Sequence, residues 1–98
     1  GSHQSVEDVA LMRAIPGMVV LSPADAVETE KMVFAVAEYE GPVYVRLGRL
    51  NIPVLFDENY KFEIGKAATL KEGNDVAILA TGLMVSEALE AAKLLEEK

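Results

Sequence analysis

Met18-Val19-Val20-Leu21-Ser22-Pro23-Ala24-Asp25 is the stretch on which the fold turns. Its first four residues are apolar without alternation, and the turn-forming pair Pro16-Gly17 precedes them. Such a run reads as a strand buried on both faces, the kind found in parallel sheets. The next four residues switch to the chemistry of a helix start. Ser22 offers a capping hydroxyl, Pro23 suits the first helical position because no N–H is needed there, and Asp25 follows the cap by three. The spacing predicts a helix from Pro23 to about Tyr39, with Val27, Val33, Phe34 and Ala37 on its apolar side and Gly41-Pro42 as its stop. Val43-Tyr44-Val45-Arg46-Leu47 is dominated by β-branched and aromatic residues and predicts a second strand. Strand, helix and strand joined by short loops make a right-handed βαβ unit with parallel strands.

Upstream of this unit, Ser5-Val6-Glu7-Asp8 reads as a capping box, and the helix it opens ends at Pro16-Gly17. Downstream, the pattern changes at Gly48. Asn51-Ile52-Pro53 and Asp57-Glu58-Asn59 are turn signals, with short β-prone pieces at 54–56 and 60–64. Residues 66–71 predict a weak strand, Glu72-Gly73-Asn74-Asp75 a hairpin turn, and Val76-Ala77-Ile78-Leu79-Ala80 another fully apolar strand. Thr81-Gly82 then turns the chain into a helix from Leu83 to Lys98, rich in Ala, Leu, Glu and Lys. The expected class is α/β: a small parallel-strand sheet flanked by helices, with a hairpin and linker region, forming part of a larger fold. The change of pattern between Gly48 and Gly73 marks the expected boundary between structural units.

Composition narrows the function. Apolar residues make up 51% of the 98, enough to build a core and above what disordered segments carry. A net charge of -7 with no basic cluster argues against non-specific nucleic-acid or anionic-membrane binding. With no cysteine, disulfides and thiolate chemistry are excluded. The longest apolar runs are too short to span a bilayer, and the cytoplasm is the default compartment. Gly1-Ser2-His3 matches what a removed purification tag leaves behind, and both chain ends read as cut rather than evolved.

Among the chemistry-bearing residues, Arg49 follows a strand end, where open α/β sheets place ligand-binding loops. A guanidinium there suits a phosphate or carboxylate; the competing reading is a solvated loop arginine. Arg46, inside the strand, is expected to pair with a neighbouring carboxylate. His3 is either an acid–base group or a solvated terminal side chain. Thr81-Gly82 lacks the glycine spacing of a nucleotide-binding turn, and the acidic pairs Asp57-Glu58 and Glu96-Glu97 read as solvated charges.

The order and spacing of three motifs point further. The run His3-Gln4-Ser5-Val6-Glu7-Asp8-Val9-Ala10-Leu11-Met12-Arg13-Ala14-Ile15-Pro16-Gly17-Met18, the Ser22-Pro23-Ala24-Asp25 motif, and Gly41-Pro42 leading through a strand to Arg49 resemble the thiamine-diphosphate-dependent transketolase family. Asp75 to Gly82 and the helix after it resemble the opening of that family's C-terminal domain. The likeness is greatest to the form split into two subunits, this piece matching the C-terminal one. It implies that residues 1–50 are the later part of the pyrimidine-binding domain, 51–74 a linker with a hairpin, and 75–98 the first strand and helix of the C-terminal domain. It also implies transfer of two-carbon ketol units between sugar phosphates, with thiamine diphosphate and a divalent metal in the whole enzyme. By the same resemblance, Arg49 holds the acceptor phosphate, and His3, if native, contacts the donor sugar. Cofactor and metal are expected to be held by other domains, leaving this segment inactive alone, with the remaining domains or subunit as partners and self-association through open strand edges. Gly1-Ser2 departs from the family's usual Gly-Pro-Thr before the histidine. The alternatives are an excised folding or self-association unit, or a segment of a related thiamine enzyme: deoxyxylulose-phosphate synthase or the β subunit of a 2-oxo-acid dehydrogenase.

Overall fold

The computed structural model describes residues 3–96; the expectations for Gly1-Ser2 and for the helix end at Glu97-Lys98 lie outside them. Among the described residues five elements follow in order: α1 (Asp8–Arg13), β1 (Val19–Leu21), α2 (Ala26–Ala37), β2 (Val43–Val45) and α3 (Met84–Glu96). The α/β class is as expected. β1 and β2 pair in parallel, with Val19 opposite Val43, Val20 opposite Tyr44 and Leu21 opposite Val45. The Arg46 N–H donates to Leu21 O at 2.8 Å, extending the ladder one step beyond β2. Strand, helix and strand thus form the βαβ unit, and α1 packs on β1.

The start of α2 differs in detail from its prediction. Asp25, not Ser22, is the cap: its carboxylate accepts the Glu28 N–H at 2.7 Å. Glu28 reaches back to accept the Ala24 N–H, also at 2.7 Å. This reciprocal arrangement lies three residues downstream of the expected one, because Asp-x-x-Glu from Asp25 to Glu28 satisfies the same geometry as Ser-x-x-Asp. The Ser5 box does not form either. α1 begins at Asp8 after Glu7, with no side-chain cap, since the Asp8 carboxylate is drawn to a partner across the fold.

Beyond β2 the correction is larger. Among the described residues, no strand forms at 54–56, 60–64, 66–71 or 76–80, and the hairpin expected around 72–75 is replaced by an unpaired linker. A strand is stabilised by a neighbour's backbone groups, and a fully apolar one needs cover on both faces. Val76–Ala80 has neither: Val76 is 70% and Leu79 93% exposed. Val33 and Phe34, expected on the packed side of α2, are exposed as well, whereas Met32 is fully buried.

The buried apolar set is small, with Ala24, Met32 and Val85 at its centre. The surface area is 7880 Å², against about 5,500 Å² for a compact protein of this mass. The radius of gyration, 14.8 Å, likewise exceeds the roughly 13 Å of a compact chain of this length.

Candidate functional site

Both strands end at one edge of the sheet, and their exits line a single cleft. β1 leaves through Ser22-Pro23 into the N-terminus of α2; β2 leaves through Arg46 into the loop that carries Arg49. Between these exits lies an open cleft of about 620 Å³, bordered by Pro23, Asp25, Thr29, Glu30, Leu47 and Asn51. The carboxyl ends of parallel strands are where open α/β sheets bind ligands, because the loops there diverge and leave backbone and helix termini facing outward. Arg49 is exposed within this loop, flanked by Gly48 and Leu50, which both line the cleft. His3 is exposed five residues before α1. Among the described residues, no group of three or more histidine, aspartate or glutamate side chains comes together as a metal-binding set.

Two buried carboxylates organise the surroundings, and neither was singled out as a site residue from the sequence. Asp8, 6% exposed, accepts the Tyr44 hydroxyl at 2.7 Å and faces Arg46 Nε at 3.2 Å. The tyrosine's hydrogen bond lowers the Asp8 carboxyl below its usual range; burial opposes this and the Arg46 guanidinium reinforces it. The same bond pushes the Tyr44 phenol up. Arg46, expected inside the strand but lying one residue past the end of β2, does pair with a carboxylate. The signal that could have found the pair is the i, i+2 placement of Tyr44 and Arg46, which puts both on one face of the strand.

Asp25, 1% exposed, is the second. One oxygen caps α2; the other accepts the N–H groups of Leu55 at 2.7 Å and Phe56 at 2.8 Å. One helical turn on, Glu28 accepts the Tyr60 hydroxyl at 2.7 Å, and a further turn on Lys31 donates to Glu58 O at 2.6 Å. Residues 25, 28 and 31 stand at i, i+3 and i+6, so one face of α2 grips the 55–60 segment. Phe56 stacks on Tyr60 with ring centroids 3.8 Å apart. Burial, then the Glu28 bond, raises the Tyr60 phenol well above its ordinary value. This grip holds the chain just beyond the Arg49 loop.

A third contact joins the end of the linker to the same edge. The Gly82 N–H donates to Ser22 O at 3.1 Å, and Gly82 has φ +59°. A Cβ there would lie 2.8 Å from Ser22 Oγ, so glycine answers both the backbone conformation and the close approach. The N-terminus of α3 thus abuts the exit of β1.

Comparison with known proteins agrees with this architecture. Residues 1–54 match the transketolase pyrimidine-binding domain, and residues 65–98 match the transketolase C-terminal domain. A Methanocaldococcus jannaschii protein described as a transketolase C-terminal section is 48% identical over 98% of this chain and 31% of its own length. A 1-deoxy-D-xylulose-5-phosphate synthase of Synechococcus elongatus is less similar, 39% identical over 98% of this chain and 16% of its own. A solved structure described as a split-gene transketolase, an inactive β4 tetramer, superimposes with a TM-score of 0.93 at 54% identity, covering 98% of this chain and 32% of that one. The chain spans about a third or less of the length of these proteins. Its βαβ unit, its strand-end cleft and its match across more than half its residues all converge: the chain belongs to the transketolase family.

Proposed function

We propose that this chain is the part of a thiamine-diphosphate-dependent transketolase that meets the substrates as the enzyme transfers two-carbon ketol units between sugar phosphates. Arg49 holds the acceptor's phosphate, and His3, where it is native and not a tag remnant, contacts the donor sugar. The observation that carries the reading is the position of Arg49: an exposed guanidinium in the loop where β2 exits beside the cleft. A planar fork of donors suits a phosphate dianion.

Thiamine diphosphate and its metal are assigned to the remaining domains or subunit. In support, the chain spans about a third or less of the length of its relatives. On this reading its part is to bind and orient substrate, and it is inactive by itself and dependent on partner domains. The deoxyxylulose-phosphate synthase reading stands second, its relative being the less similar one.

The test is reconstitution with the missing transketolase regions, thiamine diphosphate, a divalent metal and two sugar phosphates. A charged hydrogen-bonded contact is worth about 1.5–3 kcal/mol, so Arg49→Ala should raise KM for a phosphorylated acceptor roughly 10- to 100-fold with kcat little changed. An unchanged KM sinks the assignment of Arg49. Turnover by the 98-residue chain alone sinks the claim that it depends on other domains.

A further inference from the structure

Asp8 sits where the two substrate-facing segments are fastened together. It is the first residue of α1, five residues after His3; its partner Tyr44 lies within β2 and Arg46 just after it, three residues before Arg49. α1 has only six residues and no side-chain cap, so little within the helix holds it in place. What ties it to β2 is this carboxylate, which takes the Tyr44 hydroxyl at 2.7 Å and Arg46 Nε at 3.2 Å. Arg46 is also the last residue in the sheet ladder, through its N–H on Leu21 O, and it borders a small cavity of about 50 Å³ with Ser22, Gly48 and Gly82. The loop after β2 thus begins at Arg46, whose backbone is tied to β1 and whose side chain is held by Asp8.

We infer that Asp8 is a positioning residue for substrate binding: by clamping Tyr44 and Arg46 it fixes the Arg49 loop against the segment that begins at His3. The inference rests on the substrate roles proposed above for Arg49 and His3. A charged, buried acceptor with two donors is suited to this task because its bonds are short and directional, and loss of its charge frees the arginine.

Two measurements test it. In the isotope-labelled 98-residue chain, Asp8→Asn should shift the backbone amide resonances of residues 47–50, which Asp8 does not touch, while those of residues 55–60 stay in place. Unmoved 47–50 resonances overturn the inference whatever the enzyme does. In the reconstituted enzyme, Asp8→Asn should raise KM for a phosphorylated acceptor about tenfold while kcat stays within about twofold, and Asp8→Glu should recover part of the loss. Equal loss of kcat for phosphorylated and unphosphorylated acceptors marks a purely structural residue and overturns the inference. If the unsubstituted assembly transfers no ketol unit, the proposed function fails and the substrate-positioning role with it, while the resonance shifts still decide whether Asp8 fixes the loop at 47–50.

Discussion

The Asp25 carboxylate satisfies three backbone N–H groups, those of Glu28, Leu55 and Phe56, from a position shielded from water. Removing it leaves those donors unmatched, and each buried unmatched group costs about 1–3 kcal/mol. Asp25→Ala should therefore lower unfolding free energy by about 3 kcal/mol or more, read by urea denaturation. Asp8 gives a pH dependence. Its carboxyl titrates below the ordinary value of 3.8 because Tyr44 and Arg46 favour the charged form. A depressed folded pKa contributes stability that is full above the unfolded pKa and is lost as pH falls through the folded one. Below about pH 4 the difference in stability between the parent chain and Asp8→Asn should shrink, as thermal melts across that range would show. The sequence announces such residues unevenly. Ser22-Pro23-Ala24-Asp25 marks a helix start plainly, yet which oxygen caps it depends on Glu28, three residues further on. That Arg46 pairs with a carboxylate is legible from its place at the end of a β-rich run. That the carboxylate is Asp8, 38 residues away, is a property of tertiary packing that local spacing does not carry.

Among the elements, β1, α2 and β2 were legible because each is supported by its sequence neighbours: apolar β-rich runs bounded by turns, and a capped helix between them. Val76–Ala80 is as wholly apolar as β1 but has no paired neighbour, so its larger side chains face solvent. Periodicity and composition specify what a segment can become; whether a strand forms depends on who lies beside it. An exposed apolar strand sequence is a ready template for pairing with another chain. Leu79→Lys, at the most exposed of these positions, should shift the chain toward monomer in sedimentation, because a charge on an edge opposes edge-to-edge pairing. A chain that is already monomeric before the substitution counts against self-association by this route.

At the scale of the molecule, the area exposed beyond that of a compact protein is about 2,400 Å², larger than the roughly 1,600 Å² of a standard protein–protein interface. Cover of that size would suit the partner domains or subunits proposed above. The grip of α2 on residues 55–60 has a consequence for how the molecule opens. Leu55 and Phe56 have no strand partner, and their amide protons are held by a side chain of the α2 cap. Their shelter from solvent deuterium is thus borrowed from the helix. Whenever the first turn of α2 frays, both amides should exchange with it, at the same opening free energy as Glu28 and on the same clock. Two linker protons would then keep time for a helix to which they do not belong.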